Sequence, residues 1–171
     1  MAFASWTAPT VLTLAAGGAI LLVGAVSDFK IRKFKNGLFL LCTVLAFLVS
    51  FLVEGLMGLE HSVLGLIAGF AFLLPLTLMG AIGAGDMKLL AAFGAACGWA
   101  AVGQVAIFGF AWGLVFGVTQ ALLKGQGLQV VRNAARIAAT RSSQGIVLHR
   151  IPFAAALFIG WLTHLTYEGL L

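Results

Sequence analysis

Long apolar runs separated by short polar segments dominate the hydropathy pattern of this chain. The runs, by residue number, are 9–27, 36–53, 62–82, 89–103, a fifth that ends at Leu123, and a last that opens at 151–153 and ends near Tyr167. A turn is expected between about Gly98 and Gln104, between the fourth and fifth runs. Because about 20 apolar residues cross a bilayer as a helix, the pattern predicts an all-α polytopic membrane protein with about six transmembrane helices.

Composition agrees with a membrane protein. Of 171 residues, 62% are hydrophobic and 9% are charged, whereas soluble domains are about 45–50% apolar and about 25% charged. A single integral membrane domain over residues 1–171 is therefore predicted. Cys42 and Cys97 lie inside apolar runs without CxxC or His spacing, so neither a disulfide framework nor a metal site is expected. No cofactor is predicted either.

The charged residues divide the polar segments into two sets. With six crossings, all ten Lys and Arg fall on one side, and Glu54, Glu60 and Glu168 fall on the other. The positive-inside rule makes the basic side cytoplasmic and both termini non-cytoplasmic. The net charge of +5 then reflects topology and contact with anionic headgroups, and no nucleic-acid partner is expected. The connection from Glu54 to His61 is predicted to be a short acidic loop.

The stretch from Lys124 to Arg150 is the only long polar segment. Its apolar positions share one helical face, and its polar positions share the other face: Gln129, Arg132, Asn133, Arg136 and Thr140. This pattern predicts a basic amphipathic helix that lies on the cytoplasmic membrane surface before the last span.

Glycines recur at four-residue spacing inside the apolar runs. The sets are Gly65 with Gly69, Gly94 with Gly98, and Gly109 with Gly113 and Gly117. This spacing lets helix backbones approach closely, so a packing role is expected for these residues.

Two aspartates stand at the ends of apolar runs, and they are the only aspartates in the chain. Asp86 lies in Gly83-Ala84-Gly85-Asp86-Met87-Lys88, and Asp28 ends the first run, just before a cluster of four Lys and Arg. An ionisable residue at membrane depth costs about 2.5 kcal/mol or more at a helix centre, so its presence indicates a function. The six-span topology places both acids at the cytoplasmic interface, where residues of different helices can meet in a bundle.

A pair of carboxylates suits peptide hydrolysis. Like charges close together tend to share one proton; the ionised member can then activate a water while the protonated member polarises the scissile carbonyl. The structural alternatives are an interfacial Asp28 at a helix end and an Asp86 in a solvated turn. The functional alternative is a non-enzymatic transporter or assembly subunit that uses both aspartates to bind a cation or protons. Lys88 is interpreted as an ammonium that reaches phosphate headgroups.

These residues resemble a known family. The 83–88 stretch is similar to the Gly-x-Gly-Asp-x-Lys motif of type IV prepilin peptidases, and Asp28 with its basic run and Asn36 resembles the segment of the first catalytic aspartate. The stretch from Ile151-Pro152-Phe153 to Gly160 resembles the last span of that family. Where the family usually has Ile-Pro-Asn, this chain has Phe34-Lys35-Asn36, so Lys35 replaces the usual proline.

The resemblance implies a membrane aspartic endopeptidase of the GxGD type in the bacterial inner membrane. Asp28 and Asp86 would be catalytic, and Gly83, Gly85, Lys88 and Asn36 would shape the site or bind substrate. The substrate would be the short basic leader of pilin-like precursors, cut at the cytoplasmic face. The size resembles the short Flp/Tad-pilus type, and the absence of a Cys-bearing segment and of CxxC pairs predicts no N-methyltransferase activity. A presenilin-like GxGD protease is disfavoured, since the chain is short and has no Pro-Ala-Leu near its end.

Overall fold

The computed structural model describes residues 8–31, 34–123 and 153–167, and the described regular structure is entirely helical. The helices are α1 (Ala8–Ile31), α2 (Asn36–Glu54), α3 (Leu56–Leu78), α4 (Ala84–Leu123) and α5 (Phe153–Tyr167). The first four are long and apolar enough to cross a membrane, and α5 is a shorter apolar helix. The all-helical membrane architecture is confirmed. The span count and the sidedness of the termini remain predictions. The amphipathic helix at 124–150 lies outside the described residues.

Helix α4 is broken at Gly98, the first residue of the predicted turn. The backbone there has φ 80° and ψ 171°, a left-handed value of φ that glycine adopts without steric cost. Eight residues of straight helix span about 12 Å, yet a Cβ on Gly94 would lie 2.7 Å from the Val102 side chain. The chain therefore folds back at Gly98, and α4 consists of two helical segments, 84–97 and 99–123.

Helix α4 is the centre of the bundle, since it contacts each of the other four helices. Its first segment carries the most deeply buried part of the core: Leu89, Leu90, Ala91, Ala92 and Phe93 are at most 1% exposed. By contrast, large apolar side chains at Leu52, Leu78 and Leu114 are 72%, 78% and 68% exposed. An exposed apolar surface of this kind is suited to contact with lipid.

The expectation that glycine spacing marks close helix packing is confirmed at several positions. A Cβ on Gly65 of α3 would overlap the carbonyl oxygen of Gly94 in α4. A Cβ on Gly109 would lie 2.7 Å from the Leu157 side chain of α5, and one on Gly113 would lie 3.4 Å from Phe153. These glycines allow α3 and α5 to approach the two segments of α4.

The prediction of a short acidic loop from Glu54 to His61 is wrong. Helix α2 ends at Glu54 and α3 begins at Leu56, so the connection is Gly55 alone, which has φ 63°. Glu60 and His61 lie within α3, and the His61 Nδ1 is 2.9 Å from the Glu54 Oε2 across the turn. The polar residues suggested a loop, but one glycine suffices to reverse the chain between two apolar helices.

Candidate active site

Asp86 lies in the first turn of α4, and the Gly83 carbonyl begins that turn. The Gly83 oxygen accepts hydrogen bonds from the N–H groups of Asp86, at 3.1 Å, and Met87, at 3.4 Å. The N-terminus of a helix carries partial positive charge from its unsatisfied N–H groups, which favours a carboxylate in the first turn. The Gly-x-Gly-Asp segment thus places an acid, half-buried, at the start of the central helix.

Asp28 lies at the corresponding end of α1, within its last turn and half-buried. One turn earlier, a Cβ on Gly24 would overlap the side chain of Leu89, which is one turn after Asp86. Residues three or four apart share a helix face, so Asp28 and Asp86 each lie one turn beyond the Gly24–Leu89 contact, on facing surfaces. The two carboxylates lie close enough for their charges to interact. The structure therefore brings the two predicted catalytic residues together.

Phe34, two residues before α2, lies against the glycine motif. A Cβ on Gly85 would be 3.3 Å from the Phe34 Cβ and 3.4 Å from the Phe34 nitrogen, so the absence of a side chain at Gly85 allows this close approach. Phe34 was not predicted as a site residue. Its position between the basic run and Asn36 was a signal, but an apolar residue in a basic segment gave no chemical reason to select it.

Lys35, which stands where the family usually has proline, has backbone dihedrals that proline can also adopt. Its φ is −69° and its ψ is 147°, within the range of about −65 ± 15° that the proline ring imposes on φ. The Lys35 carbonyl accepts the Phe39 N–H at 3.0 Å and so begins α2. Lys35 is therefore in an extended conformation that does not require proline.

Lys88 and Asn36, both predicted to shape the site or bind substrate, form a hydrogen bond. The Lys88 ammonium donates to the Asn36 Oδ1 at 2.7 Å, joining α4 to the first residue of α2. Lys88 lies two residues from Asp86, so it points to another side of α4, toward α2 and not toward the acid pair. The sequence predicted that the Lys88 ammonium reaches lipid headgroups. In the structure, one of its N–H groups instead donates to Asn36 of the same chain.

Gly83 is next to the acid itself, because a Cβ there would lie 3.3 Å from the Asp86 Oδ2. All six predicted site residues thus lie at one end of the bundle. Within the described ranges, no group of three or more His, Cys, Asp and Glu side chains could hold a metal ion. The predicted absence of metal and cofactor stays a prediction.

Comparison with known proteins identifies the family. The family model described as type IV leader peptidase family matches residues 15–118, a range that contains both aspartates and the whole glycine motif. The chain belongs to the type IV leader peptidase family. Membership implies peptidase activity and pilin-like precursor substrates, and the apolar helices agree with an integral membrane leader peptidase. No curated protein and no solved structure matches the chain. The match ends before α5, so the resemblance of 151–160 to the last span of the family lies outside it.

Proposed function

We propose that this leader peptidase is an aspartic endopeptidase in which Asp28 and Asp86 activate a water for peptide hydrolysis. The observation that carries the proposal is the position of both acids at the same end of the α1–α4 contact, each one turn beyond the Gly24–Leu89 packing. Two half-buried carboxylates that repel each other favour a state with one shared proton. Because such a pair titrates as a unit, the proton belongs to the pair rather than to either residue.

The hydrolysis follows from that state. The ionised carboxylate takes a proton from water, and the water oxygen adds to the scissile carbonyl carbon. The protonated carboxyl group gives its proton to the carbonyl oxygen, so that a neutral tetrahedral intermediate forms. As this intermediate collapses, the C–N bond breaks, the amine nitrogen takes the proton held by the pair, and one hydroxyl group of the intermediate returns its proton to the pair. The products are a new carboxyl terminus on the leader and a new amino terminus on the mature protein.

The position of the acids fits the proposed substrate. A precursor with a short basic leader before an apolar helix would lie in the bilayer with its cleavage junction at the interface. In the six-span topology proposed here, the break at Gly98 separates the fourth and fifth spans, and both acids face the cytoplasm. The proposal places the enzyme in the bacterial inner membrane and in the short Flp/Tad-pilus group, as a peptidase without N-methyltransferase activity.

Co-expression with a Flp-type pilin precursor tests the proposal. Asp28→Asn and Asp86→Asn keep the size and polarity of each side chain but remove the acid. Each variant is expected to insert into the membrane and to leave the precursor unprocessed, as judged by the mass of its N-terminal peptide. Glu60→Gln, on the exposed surface of α3, is the matched control for loss of one carboxylate. Processing that persists in both single aspartate variants would refute the proposal.

A further inference from the structure

A cavity with both polar and apolar lining residues lies at the opposite end of the bundle from the acid pair. Its volume is about 210 Å³, and its polar lining consists of Thr13, Ser50, Glu54, His61, Ser62 and Cys97. At 1.5 Å per residue, about 22 Å of α1 separates Thr13 from Asp28, and about 16 Å of α4 separates Cys97 from Asp86. The cavity is therefore distinct from the candidate active site.

The cavity contains a buried hydroxyl group that needs a partner. Ser62 is 1% exposed, and within the described part of the chain its Oγ has no hydrogen-bond partner. Buried polar groups in folded proteins are nearly always hydrogen-bonded, to protein, water or ligand. Ser50 donates its own hydroxyl to the Ala95 carbonyl at 3.4 Å, which leaves the Ser50 oxygen as an acceptor toward the cavity. The walls thus offer several oxygen acceptors.

The charge and the aromatic margin of the cavity favour a cation. Glu54 contributes a carboxylate whose Oε2 is bound to His61, and its other oxygen has no hydrogen-bond partner among the residues that the structure describes. Trp99 lines the same cavity and is 62% exposed. An indole face attracts a cationic group, and tryptophan is common at the membrane–water interface, where lipid headgroups lie.

We propose that this cavity is a binding site for a primary ammonium group, either from a phosphatidylethanolamine headgroup or from a small free amine. Three N–H donors on one charged nitrogen match the Glu54 carboxylate and the hydroxyl oxygens of Ser50 and Ser62. The volume exceeds that of a few waters, at about 30 Å³ each, and accommodates a two-carbon amine. An anion would meet the Glu54 charge, and an apolar group would leave Ser62 without a partner.

The site is tested by thermal unfolding of the full chain in phosphatidylcholine nanodiscs with added ethanolamine. A saturable rise in Tm is expected, because a ligand that binds the folded state stabilises it. Tetramethylammonium, which has no N–H donor, is expected to give no such rise. Glu54→Gln, which removes the carboxylate charge, and Ser62→Ala, which removes a hydroxyl acceptor, should each weaken the apparent affinity by about tenfold, because each weakens a hydrogen bond of a charged group. Glu60→Gln, outside the cavity, should bind like the wild type. If Glu54→Gln fails to fold, ethanolamine binding can be followed instead by the quenching of Trp99 fluorescence, in the wild type and in Ser62→Ala. The fluorescence of Trp99 is identified by its loss in Trp99→Phe.

Nanodiscs that contain phosphatidylethanolamine separate the two sources of the ammonium group. A higher Tm there, with no further response to ethanolamine, identifies the lipid headgroup. An equal response in both kinds of nanodisc identifies the free amine. The proposal is overturned if ethanolamine gives no saturable shift, if tetramethylammonium gives the same shift, or if neither Glu54→Gln nor Ser62→Ala changes the affinity.

Discussion

Removal of the Lys88–Asn36 hydrogen bond should slow precursor processing without abolishing it. The bond joins the helix of Asp86 to the first residue of α2, so it holds the 34–35 connection against the glycine motif. At 2.7 Å it is short and charge-assisted, a class worth about 1.5–3 kcal/mol when desolvated. Because the bond lies at the exposed end of the bundle, water can hydrogen-bond to both groups when the bond is lost. We therefore expect the bond to contribute about 1 kcal/mol. Such a loss corresponds to about a fivefold lower rate.

The assay is a double-mutant cycle on purified enzyme with a precursor peptide. Lys88→Ala and Asn36→Ala should each lower kcat/KM by about twofold to tenfold, and the double variant should be little slower than either single variant. The coupling energy is expected to be about 1 kcal/mol. Lys35→Ala is the matched control, because it removes a neighbouring cation without changing the bond. Independent, additive effects of the two substitutions would refute the role of this bond. A complete loss of activity in a normally inserted Lys88→Ala would show instead that Lys88 takes part in the chemistry.

Three further substitutions test the backbone at Lys35, the packing of Gly85 beside the site, and the α3–α4 contact at Gly65. Lys35→Pro should leave processing intact and raise the free energy of unfolding by about 0.4–1 kcal/mol, because the native φ of −69° suits proline. A Tm below that of the wild type would contradict this prediction. Gly85→Val should reduce the rate of processing at least about tenfold, since even a Cβ would lie 3.3 Å from Phe34. A shift of about 1 Å in an active site can lower the rate by that factor or more. A wild-type rate would show that the close contact with Phe34 is not needed. Gly65→Ala should destabilise the protein by about 1–3 kcal/mol through overpacking. Gly103→Ala is the control, because Gly103 has open space around it, and it should not destabilise the protein. Equal Tm values for the two variants would contradict the close contact between α3 and α4 at Gly65.

Hydropathy and charge were sufficient to predict the helical membrane architecture, because each apolar run is long relative to its connections. The break at Gly98 lies at the start of the predicted turn. The turn could be predicted because the apolar stretch up to Leu123 is too long to cross the bilayer as a single helix. The α2–α3 connection was mispredicted because Glu60 and His61 are polar, although they lie on an exposed surface of α3. Helix ends depend on one glycine dihedral there, and residue type alone does not encode it.

The sequence was sufficient to predict that the candidate site residues lie together, but not which contacts they make. The rarity of acids in an apolar chain selected Asp28 and Asp86, and topology placed them on one side. The Lys88–Asn36 bond and the approach of Phe34 to Gly85 depend on how α2 packs beside α4, a tertiary relation between positions about 50 residues apart in sequence. The backbone at Lys35 could not be predicted from the loss of proline, because an extended conformation is open to both residues.

The most direct test of the central claim is the single-turnover rate of leader cleavage by the purified enzyme in proteoliposomes. Asp28→Asn, Asp86→Asn and the double variant would be compared with wild type and with Glu60→Gln. If the two acids act as one catalytic unit, each single variant should lose at least about a thousandfold in rate, and the double variant should be no slower than either one, because residues that act together show non-additive losses. Retention of a rate within about tenfold of wild type in either single aspartate variant would contradict the account.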